Sequence, residues 1–346
     1  MVTTATPPDL RQLITTAHVA GFCGLSLKQM NFFLYRLPAS RRYKEFRLRR
    51  RNGSERIIQA PILPIKRMQK RVAAALEASY RAPRHTHGYV KTRGPLSNAQ
   101  VHVRQRWVLR VDLKDFFPSI HFGRVRGLLL KPPFDLLPEV ARVIAHMCCH
   151  EGALPHGAPS SPVISNWICR RLDRELAALA KEHHCFYSRY SDDLVFSTNR
   201  RGFPAALATR DSETGAIKVG ERLAELIAGN GFVVNPEKTV LRQRTQRQMV
   251  TGIIVNEAPN VPRSYVRELR HLLYVWRSHG REAAITHHAK LHQRNRPPDK
   301  PQPPFETIVR GMVQHAGHVK SWHHPVYRAL AVESRRVRHW DLRIRL

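Results

Sequence analysis

The chain has 346 residues, and its 58 Lys and Arg residues against 26 Asp and Glu residues give a formal net charge of +32 at pH 7. That length allows a sizeable core and two or three lobes, and so large a positive charge attracts polyphosphate, so we expect a nucleic-acid partner. We predict neither membrane association nor secretion, because no apolar run approaches roughly 18 residues and the N-terminus does not resemble a signal peptide.

The first part of the chain is predicted to form a basic hairpin followed by a helix. Residues 41–56 hold eight Lys and Arg residues against two Glu, with Asn52-Gly53 where a two-residue hairpin turn would lie. Apolar residues then recur at helical spacing from 65 to 81, which predicts a helix with one buried face.

Two acidic clusters are predicted at the ends of strands. WVLRV (107–111) predicts a short buried strand that ends directly in Asp112. FYSRYSDDLVFS (186–197) predicts two strands with Asp192 and Asp193 in the turn between them. A single Asp at a strand end is usually a turn residue, but three carboxylates in so basic a chain favour a metal site.

The segment between and after these clusters is predicted to be helical. Ser160 or Ser161 can cap a helix with Pro162 at its first position, and a second helix should end near residues 230–231. The resulting order of strands and helices predicts an α+β fold, a sheet with helices on one face.

The C-terminal part is predicted to be helical and basic. A helix should begin after Pro262 and stop at Gly280, and 293–304, with five prolines in twelve residues, should be a linker or exposed loop. Residues 305–332 have a helical pattern again. Lys, Arg and His are frequent in this part, with rings available for stacking on folded RNA; the interleaved tryptophans are Trp276, Trp322 and Trp340.

The five cysteines form an odd set without the spacing of a disulfide framework. This usage predicts a reducing, cytoplasmic environment. An alternative is a zinc site that joins the HMCCH stretch (146–150) to His183, His184 and Cys185, although only the two histidines that end this stretch have helical ligand spacing.

The carboxylates suit the chemistry of joining nucleotides. That reaction is an in-line phosphoryl transfer, in which charge builds on the attacking and leaving oxygens. Two Mg²⁺ ions roughly 3.5 to 4 Å apart stabilise both ends at once and prefer carboxylate and phosphate oxygens. Asp112, Asp192 and Asp193 are therefore expected to hold two Mg²⁺ ions, for which Mn²⁺ can substitute.

Five ordered motifs resemble those of reverse transcriptases. VDLKDFFPSI (111–120), LPHGAPSSPVISN (154–166) and YSDD (190–193) resemble the three palm motifs of that family, and NAQVH (98–102) and VTG (250–252) resemble elements of its bacterial retron members. The resemblance runs from roughly residue 20 to 270 and implies RNA-directed DNA synthesis.

The resemblance implies a right-hand polymerase. It places the fingers at residues 1–108, the palm at 109–258 as an antiparallel sheet with helices on one face, and a helical, RNA-binding thumb at 259–346.

Further site residues follow from the same resemblance. Asp112, Asp192 and Asp193 become the catalytic metal ligands. Phe117 takes the place of the aromatic gate that excludes a 2′-hydroxyl; the alternative is a core phenylalanine. Lys238, in NPEKT (235–239), becomes a group that protonates or binds departing pyrophosphate; the alternative is a solvated lysine.

The nucleotide itself is expected to contact two basic side chains and a small-residue loop. Arg56 and Arg51 suit phosphate oxygens, unless they face solvent or touch the template. Gly157 and Ala158 allow the backbone to approach the substrate closely. His156 stands where the family usually has Gln, and its ring can donate one hydrogen bond to the nucleotide.

RNA contacts are expected at the two retron elements. Asn98 and His102 lie four residues apart, on one face if the stretch is helical, and either bind RNA or brace the palm. Thr251 and Gly252 either meet an RNA hairpin through a close backbone approach or form a simple bulge.

The predicted function is reverse transcription of a cognate structured noncoding RNA. The retron resemblance implies priming from an internal guanosine 2′-hydroxyl, a branched RNA–DNA product, dNTP substrates, an effector protein and a role in phage defence. Alternatives are a group II intron-like or diversity-generating reverse transcriptase, or a non-catalytic RNA-binding scaffold that restrains a toxin.

Overall fold

The computed structural model of the chain describes residues 9–49, 55–291 and 303–344. The chain folds as two units: unit 1 comprises residues 1–94 and 109–241, and unit 2 comprises residues 95–108 and 242–346. The predicted three lobes do not group residues 95–108 with the C-terminal residues. The division into three lobes stays a prediction.

The fold mixes helices and strands, as the sequence predicts. The strands are β1 (Tyr43–Arg49), β2 (Glu55–Pro61), β3 (Trp107–Lys114), β4 (Phe186–Tyr190), β5 (Asp193–Thr198), β6 (Ala208–Arg210), β7 (Ile217–Val219), β8 (Val233–Gln243), β9 (Met249–Val250) and β10 (Ile253–Ile254). The helices are α1 (Thr16–Cys23), α2 (Leu27–Asn31), α3 (Ala39–Arg42), α4 (Leu63–Ser79), α5 (Pro95–Gln100), α6 (Phe122–Leu129), α7 (Pro138–Cys148), α8 (Ser161–Ile168), α9 (Arg170–Glu182), α10 (Glu221–Gly229), α11 (Arg263–Leu291), α12 (Phe305–Lys320) and α13 (Pro325–Ile344).

The basic hairpin of unit 1 is confirmed. β1 and β2 pair in antiparallel fashion from Tyr43 opposite Pro61 to Arg49 opposite Glu55. The predicted turn at Asn52-Gly53 lies outside the described residues, as does Arg51. The hairpin leads into α4, whose buried face confirms the predicted helical spacing; its large apolar members are Ile65, Met68, Val72 and Leu76.

The sheet that carries the acidic residues has four strands in the order β4-β5-β3-β8. β3 is longer than predicted. It continues through Asp112 to Lys114, so Asp112 lies inside the strand rather than after it. Leu109, Val111 and Leu113 are almost completely buried, and burial of these neighbours keeps the backbone extended beyond the predicted end.

The helix predicted after Ser160 is two helices. α8 ends at Ile168 and α9 begins at Arg170, with Cys169 between them. Ser160 is the N-terminal flanking residue of α8, but its side chain makes no capping hydrogen bond. The predicted end of α10 is confirmed at Gly229.

Unit 2 contains the β9–β10 hairpin and three long helices. Gly280, within α11, has φ 81° and ψ 174°, which are not helical values, so α11 is two helical segments that meet at a break there. The predicted stop at Gly280 is confirmed, and a second segment continues to Leu291. Glycine adopts this φ without steric cost. α11, α12 and α13 share one apolar core; its members include Leu269, Leu273, Trp276, Ala284, Phe305, Val309 and Leu330.

Among the described residues, none of the helices combines the length and apolarity needed to cross a bilayer. The proline-rich segment falls mainly outside them, since only residues 303 and 304 of it are described.

Candidate active site

The YSDD segment forms a tight turn between β4 and β5. Tyr190 pairs with Asp193 across the hairpin, which leaves Ser191 and Asp192 as the two turn residues. Ser191 has a positive φ of 61°. Asp193 is therefore the first residue of β5 rather than a turn residue as predicted.

The same turn lies beside β3. The amide N–H of Leu113 donates to the carbonyl oxygen of Asp192 at 3.0 Å. Because Asp112 precedes Leu113, the two acidic segments are adjacent in space, although 80 residues separate Asp112 from Asp192 in the sequence. The structure thus brings the two acidic segments side by side, although the carboxylate oxygens of Asp112, Asp192 and Asp193 do not all lie within 4.8 Å of one another.

Electrostatics show the same convergence. Burial raises the pKa of Asp192 above its usual value, and the nearby negative charges of Asp193 and Asp112 raise it further. Three carboxylates that repel one another in a partly buried place would be stabilised by added positive charge. A divalent cation would supply that charge.

Asp112 is held by two side chains from β8. Lys238 Nζ lies 2.9 Å from Oδ2 and 3.1 Å from Oδ1 of Asp112, and Asn235 Nδ2 donates to Oδ2 at 3.1 Å. Lys238 is therefore neither fully solvated nor isolated from the carboxylates. Asn235 has no predicted role, and its place in NPEKT beside Lys238 is the only sequence signal for it.

Asp193 has its own cation. Arg110 Nη2 lies 3.2 Å from Asp193 Oδ1. Arg110 and Asp112 are two residues apart in β3, so their side chains leave the same face of the strand. Alternation in the predicted strand could have revealed this partner.

The aspartates suit Mg²⁺ or Mn²⁺ by chemistry, because both ions prefer hard oxygen ligands. Lys238 and Arg110 occupy part of the carboxylate surface, as expected where positive charge is required. Within the described ranges, one group of three His, Cys, Asp or Glu residues has all its ligand atoms within 4.8 Å of one another: Glu45, His150 and Glu151. It contains a single residue of the HMCCH stretch and none of His183, His184 and Cys185, so the predicted zinc site is wrong.

An aromatic pocket lies next to the carboxylates. Phe117 is 9% exposed, with ring centroids of Tyr89 at 6.2 Å and of His156 at 5.1 Å. Tyr89 also shares a 3.0 Å hydrogen bond between its hydroxyl and that of Ser191. Tyr89, which has no predicted role, therefore links the Phe117 ring to the turn that carries Asp192.

The GAPSSP loop (157–162) packs on β2. His156 offers its carbonyl oxygen to the N–H of Gln59 at 2.7 Å. Gly157 has a φ of 121°, and a Cβ there would lie 2.9 Å from the Gln59 carbonyl oxygen. The missing Cβ of Gly157 thus permits close packing on β2. The backbone of Gly157 is exposed, and its approach to substrate stays a prediction. Ala158 is 4% exposed and belongs to the core of the loop.

Arg56 reaches the site from the same strand. Its side chain is exposed, and its charge acts on Asp192, whose pKa it lowers slightly against the larger raising effects. Arg56 is therefore close enough to the carboxylates to meet phosphate oxygens there. The predicted partner Arg51 lies outside the described residues.

The NAQVH element is buried. Asn98 lies in α5 and His102 in the turn after it, and both are 0% exposed, so neither can touch RNA in this conformation. The structure thus contradicts RNA contact at Asn98 and His102 and favours a bracing role inside unit 2, where α5 packs on β9 and β10. Neither Nδ2 nor Oδ1 of Asn98 has a hydrogen-bond partner among the described residues.

The VTG element is a hairpin turn, neither a strand nor a bulge. Val250 pairs with Ile253, and Thr251 and Gly252 between them have φ values of 48° and 82°. The Thr251 hydroxyl donates to the Pro95 carbonyl oxygen at 2.8 Å, whereas Gly252 is exposed. Backbone contact with RNA is thus open to Gly252.

A fully buried ion pair supports the YSDD turn. Arg189 in β4 and Asp173 in α9 are both 0% exposed, and two guanidinium nitrogens lie 2.7 Å from the two carboxylate oxygens. Burial alone would raise the pKa of Asp173, but Arg189 outweighs burial and lowers it. Arg189 Nη1 also donates to the carbonyl oxygen of Ser191 at 3.2 Å. The pair thus connects α9 to the turn that carries Asp192.

Three further hydrogen bonds complete this buried network. Thr86 and Tyr187 donate their hydroxyls to Asp173 at 3.0 and 2.8 Å, and Asn166 accepts from Arg189 at 3.2 Å. Each polar side chain named here has a hydrogen-bond partner, and a buried network stabilises the fold only when this condition is met. The sequence carried two signals for it: Asp173 interrupts an apolar helical stripe, and Arg189 interrupts a strand.

A family model described as "Reverse transcriptase (RNA-dependent DNA polymerase)" matches residues 48–255. This is more than half of the chain, and the chain therefore belongs to the reverse transcriptase family.

Its relatives identify the type within that family. The retron Mx162 reverse transcriptase of Myxococcus xanthus is 35% identical over 287 residues, which cover 75% of this chain and 58% of that relative. The retron Mx65 reverse transcriptase of Myxococcus xanthus is 33% identical over 278 residues, 75% of this chain and 62% of the relative. The retron Ec83 reverse transcriptase of Escherichia coli is 30% identical over 225 residues, 61% of this chain and 67% of the relative.

The chain is thus of the retron type, and the resemblance seen in its motifs is confirmed. It spans about three fifths of the length of the two Myxococcus relatives.

Proposed function

We propose that the chain is an RNA-directed DNA polymerase that copies a cognate structured noncoding RNA into DNA. The observation that carries this proposal is the adjacency of Asp112 and Asp192, from separate strands, in a chain of the reverse transcriptase family. Under this proposal residues 1–108, 109–258 and 259–346 act as fingers, palm and thumb of a right-hand polymerase.

The proposed centre uses Asp112, Asp192 and Asp193 as ligands for two Mg²⁺ ions, or Mn²⁺. When bound, these cations stabilise charge on the reacting phosphate oxygens. Asn235 holds the Asp112 carboxylate in place. A cation bound to Asp112 would displace Lys238, whose ammonium would then be placed to protonate or bind the departing pyrophosphate.

Replacement of Lys238 by methionine tests this exchange. The cation no longer competes with an ammonium for Asp112, so we expect the variant to bind Mn²⁺ more tightly, by about threefold to tenfold, measured by paramagnetic water relaxation. DNA synthesis should nevertheless fall, because the pyrophosphate loses its partner. Lys218→Met removes another ion-paired lysine and should change neither quantity; unchanged synthesis by the Lys238 variant would contradict the role.

Selection of the sugar is assigned to Phe117. Its ring lies between Tyr89 and His156, and the three rings form a wall beside the carboxylates. A ring beneath the sugar leaves no volume for a 2′-hydroxyl. We propose that Arg56 binds the triphosphate, and that His156 with the exposed backbone of Gly157 borders the nucleotide.

Phe117→Val is expected to admit ribonucleotides. The smaller side chain leaves room for the hydroxyl, and we expect the ratio of kcat/KM for dNTP over rNTP to fall by about 10²-fold, near the upper limit for a steric contact of this kind. Incorporation of single nucleotides on a primer–template measures the ratio. Phe122→Val, at a half-buried phenylalanine outside the pocket, should leave it unchanged. Unaltered sugar selectivity in the Phe117 variant would remove its gate role.

Binding of the cognate RNA is assigned to unit 2. A pocket of about 1030 Å³ lies among the β9–β10 hairpin, α11 and the α12–α13 region. Cations in its lining suit RNA phosphates, and the exposed Gly252 turn belongs to the same unit. The cationic lining residues are Arg247, Arg263, Arg267, Arg270 and Lys320.

The resemblance of the motifs to retron enzymes implies further parts of the proposal. These are priming from an internal guanosine 2′-hydroxyl, a branched RNA–DNA product, and an effector protein in phage defence. All five cysteines are free, which supports the reducing cytoplasm as the site of action.

Purification of the chain with its nucleic acid tests the whole proposal. We expect one noncoding RNA to co-purify, joined to DNA through a 2′–5′ branch that a debranching enzyme cleaves, and to be extended with Mg²⁺ and dNTPs. DNA primed from an ordinary 3′ end would favour a group II intron-like or diversity-generating enzyme. RNA without attached DNA and without synthesis would favour a non-catalytic scaffold.

A further inference from the structure

A second concentration of positive charge lies on the helices of unit 1. A surface pocket of about 940 Å³, which we call the α9 pocket, has five cations and no carboxylate in its lining. None of its lining residues belongs to the candidate active site. The five cations are Arg124, Lys131, Arg170, Arg171 and Arg174.

Two of these cations are committed to the protein. Arg124 donates to the carbonyl oxygens of Ser119, Gly231 and Asn230 at 3.2, 3.0 and 2.7 Å. Arg171 lies 2.7 Å from Glu175. These contacts fix the walls of the pocket.

The other three cations are exposed and make no ion pair within 4 Å in the described part of the chain, although the charge of Arg174 acts on Glu175. They are Lys131, Arg170 and Arg174. Arg170 and Arg174 are one turn apart on α9, about 6 Å along its axis, and like charges at this spacing destabilise a helix. A bound anion would relieve this repulsion, and guanidinium groups match phosphate oxygens in geometry.

The pocket does not offer its large aromatic ring to a base. Trp167 is 4% exposed. Arg170 lies over its face at 4.9 Å, and Tyr80 and Phe134 contact the ring edge-on at 5.3 and 4.9 Å. A free nucleotide would therefore gain little from stacking on Trp167, whereas consecutive phosphates would meet three separate cations.

From these observations we infer that the α9 pocket binds the sugar–phosphate backbone of a nucleic-acid strand, independently of base sequence. The strand contacts Lys131, Arg170 and Arg174 at a site separate from the catalytic carboxylates. The inference goes beyond the proposed polymerase activity and does not require it, because the contacts are electrostatic. Its occupant is RNA or DNA; an acidic protein is the rival that the test must separate.

The test compares two triple variants of the full chain. Lys131→Gln/Arg170→Gln/Arg174→Gln neutralises the pocket, and Lys28→Gln/Lys66→Gln/Lys181→Gln removes the same charge from three exposed lysines elsewhere in unit 1. Fluorescence anisotropy measures binding of a 40-nucleotide single-stranded RNA, the same DNA, and the RNA–DNA hybrid from 50 to 300 mM KCl. Inorganic tripolyphosphate is the small-anion competitor.

The pocket variant should bind one or more of these strands about tenfold more weakly at 150 mM KCl. The slope of log K against log salt should fall by about 2, since three phosphate contacts on a single strand are lost. The control variant should change both quantities less. Equal behaviour of the two variants overturns the inference, and so does tripolyphosphate binding at the pocket without any effect on the strands, or selective loss of an acidic protein.

A measurement on the unaltered protein covers the case of a misfolded variant. Reaction with an arginine-selective glyoxal, followed by mass spectrometry, should show Arg170 and Arg174 protected by bound RNA, DNA or the RNA–DNA hybrid. Equal reactivity with and without each of these strands overturns the inference. Extension of a short primer–template by the pocket variant reports separately on the polymerase, so failure of the proposed function stays distinguishable.

Discussion

Replacement of Asp192 by alanine is expected to abolish DNA synthesis while binding of the cognate RNA persists. Asp192 lies in the turn beside β3, next to Asp112, and both carboxylates are needed to hold cations at the reacting phosphate. Removal of one member of a catalytic unit lowers the rate far more than loss of a single contact does. The rate of DNA synthesis should therefore fall on the order of 10³-fold or more. Primer extension with Mg²⁺ and dNTPs measures it, and gel shift with the co-purified RNA measures binding.

Glu213→Ala is the matched control for this prediction. It also removes one negative charge, but from an exposed position between β6 and β7, and should leave synthesis unchanged. Synthesis by the Asp192 variant at the rate of this control would refute the assignment of the site. Lost RNA binding in the Asp192 variant would point to unfolding instead.

Replacement of Arg189 by methionine is expected to destabilise unit 1 severely. The change leaves the Asp173 carboxylate buried and unpaired, which costs about 3–5 kcal/mol. For a unit of this size the thermal midpoint should fall by roughly 10 °C. Differential scanning calorimetry measures this. Arg277→Met breaks an exposed ion pair with Glu333 and should cost less than about 1 kcal/mol.

A double variant separates stability from positioning at this network. Arg189→Met with Asp173→Asn leaves no unpaired charge and should recover much of the midpoint. The carbonyl oxygen of Ser191 still lacks its Arg189 donor, so Asp192 is less well held. We therefore expect a higher Mg²⁺ concentration for half-maximal synthesis and a lower kcat. Recovery of both quantities together with stability would show that Arg189 is only structural.

The surroundings of Asp112 show how far sequence reasoning reaches. Its strand was predicted from five apolar and basic residues, because period-two burial is a local pattern. The strand's extension to Lys114 and the contacts with Asn235 and Lys238 were not predicted. They depend on β8 lying beside β3, a pairing between segments more than 120 residues apart.

Packing decided the surroundings of three other residues. Four-residue spacing predicted that Asn98 and His102 either bind RNA or brace the palm, and their 0% exposure excludes RNA contact by these side chains. Gly157 was predicted to let the backbone approach the substrate, and Gln59 fills the space that its missing Cβ leaves. A motif identifies such residues. What their side chains contact depends on packing partners far away in the sequence.

The sequence by itself determined the charge, the alternation of helices and strands, and the identity of the three carboxylates, because these depend on composition and on neighbours within a few residues. Only the tertiary structure decided that Lys238 pairs with Asp112 and Arg110 with Asp193, that Arg189 and Asp173 pair beneath the turn, and that a separate cationic pocket lies along α9. Each of these arrangements joins distant segments whose distances are set by packing of the core, and local propensity carries no information about them.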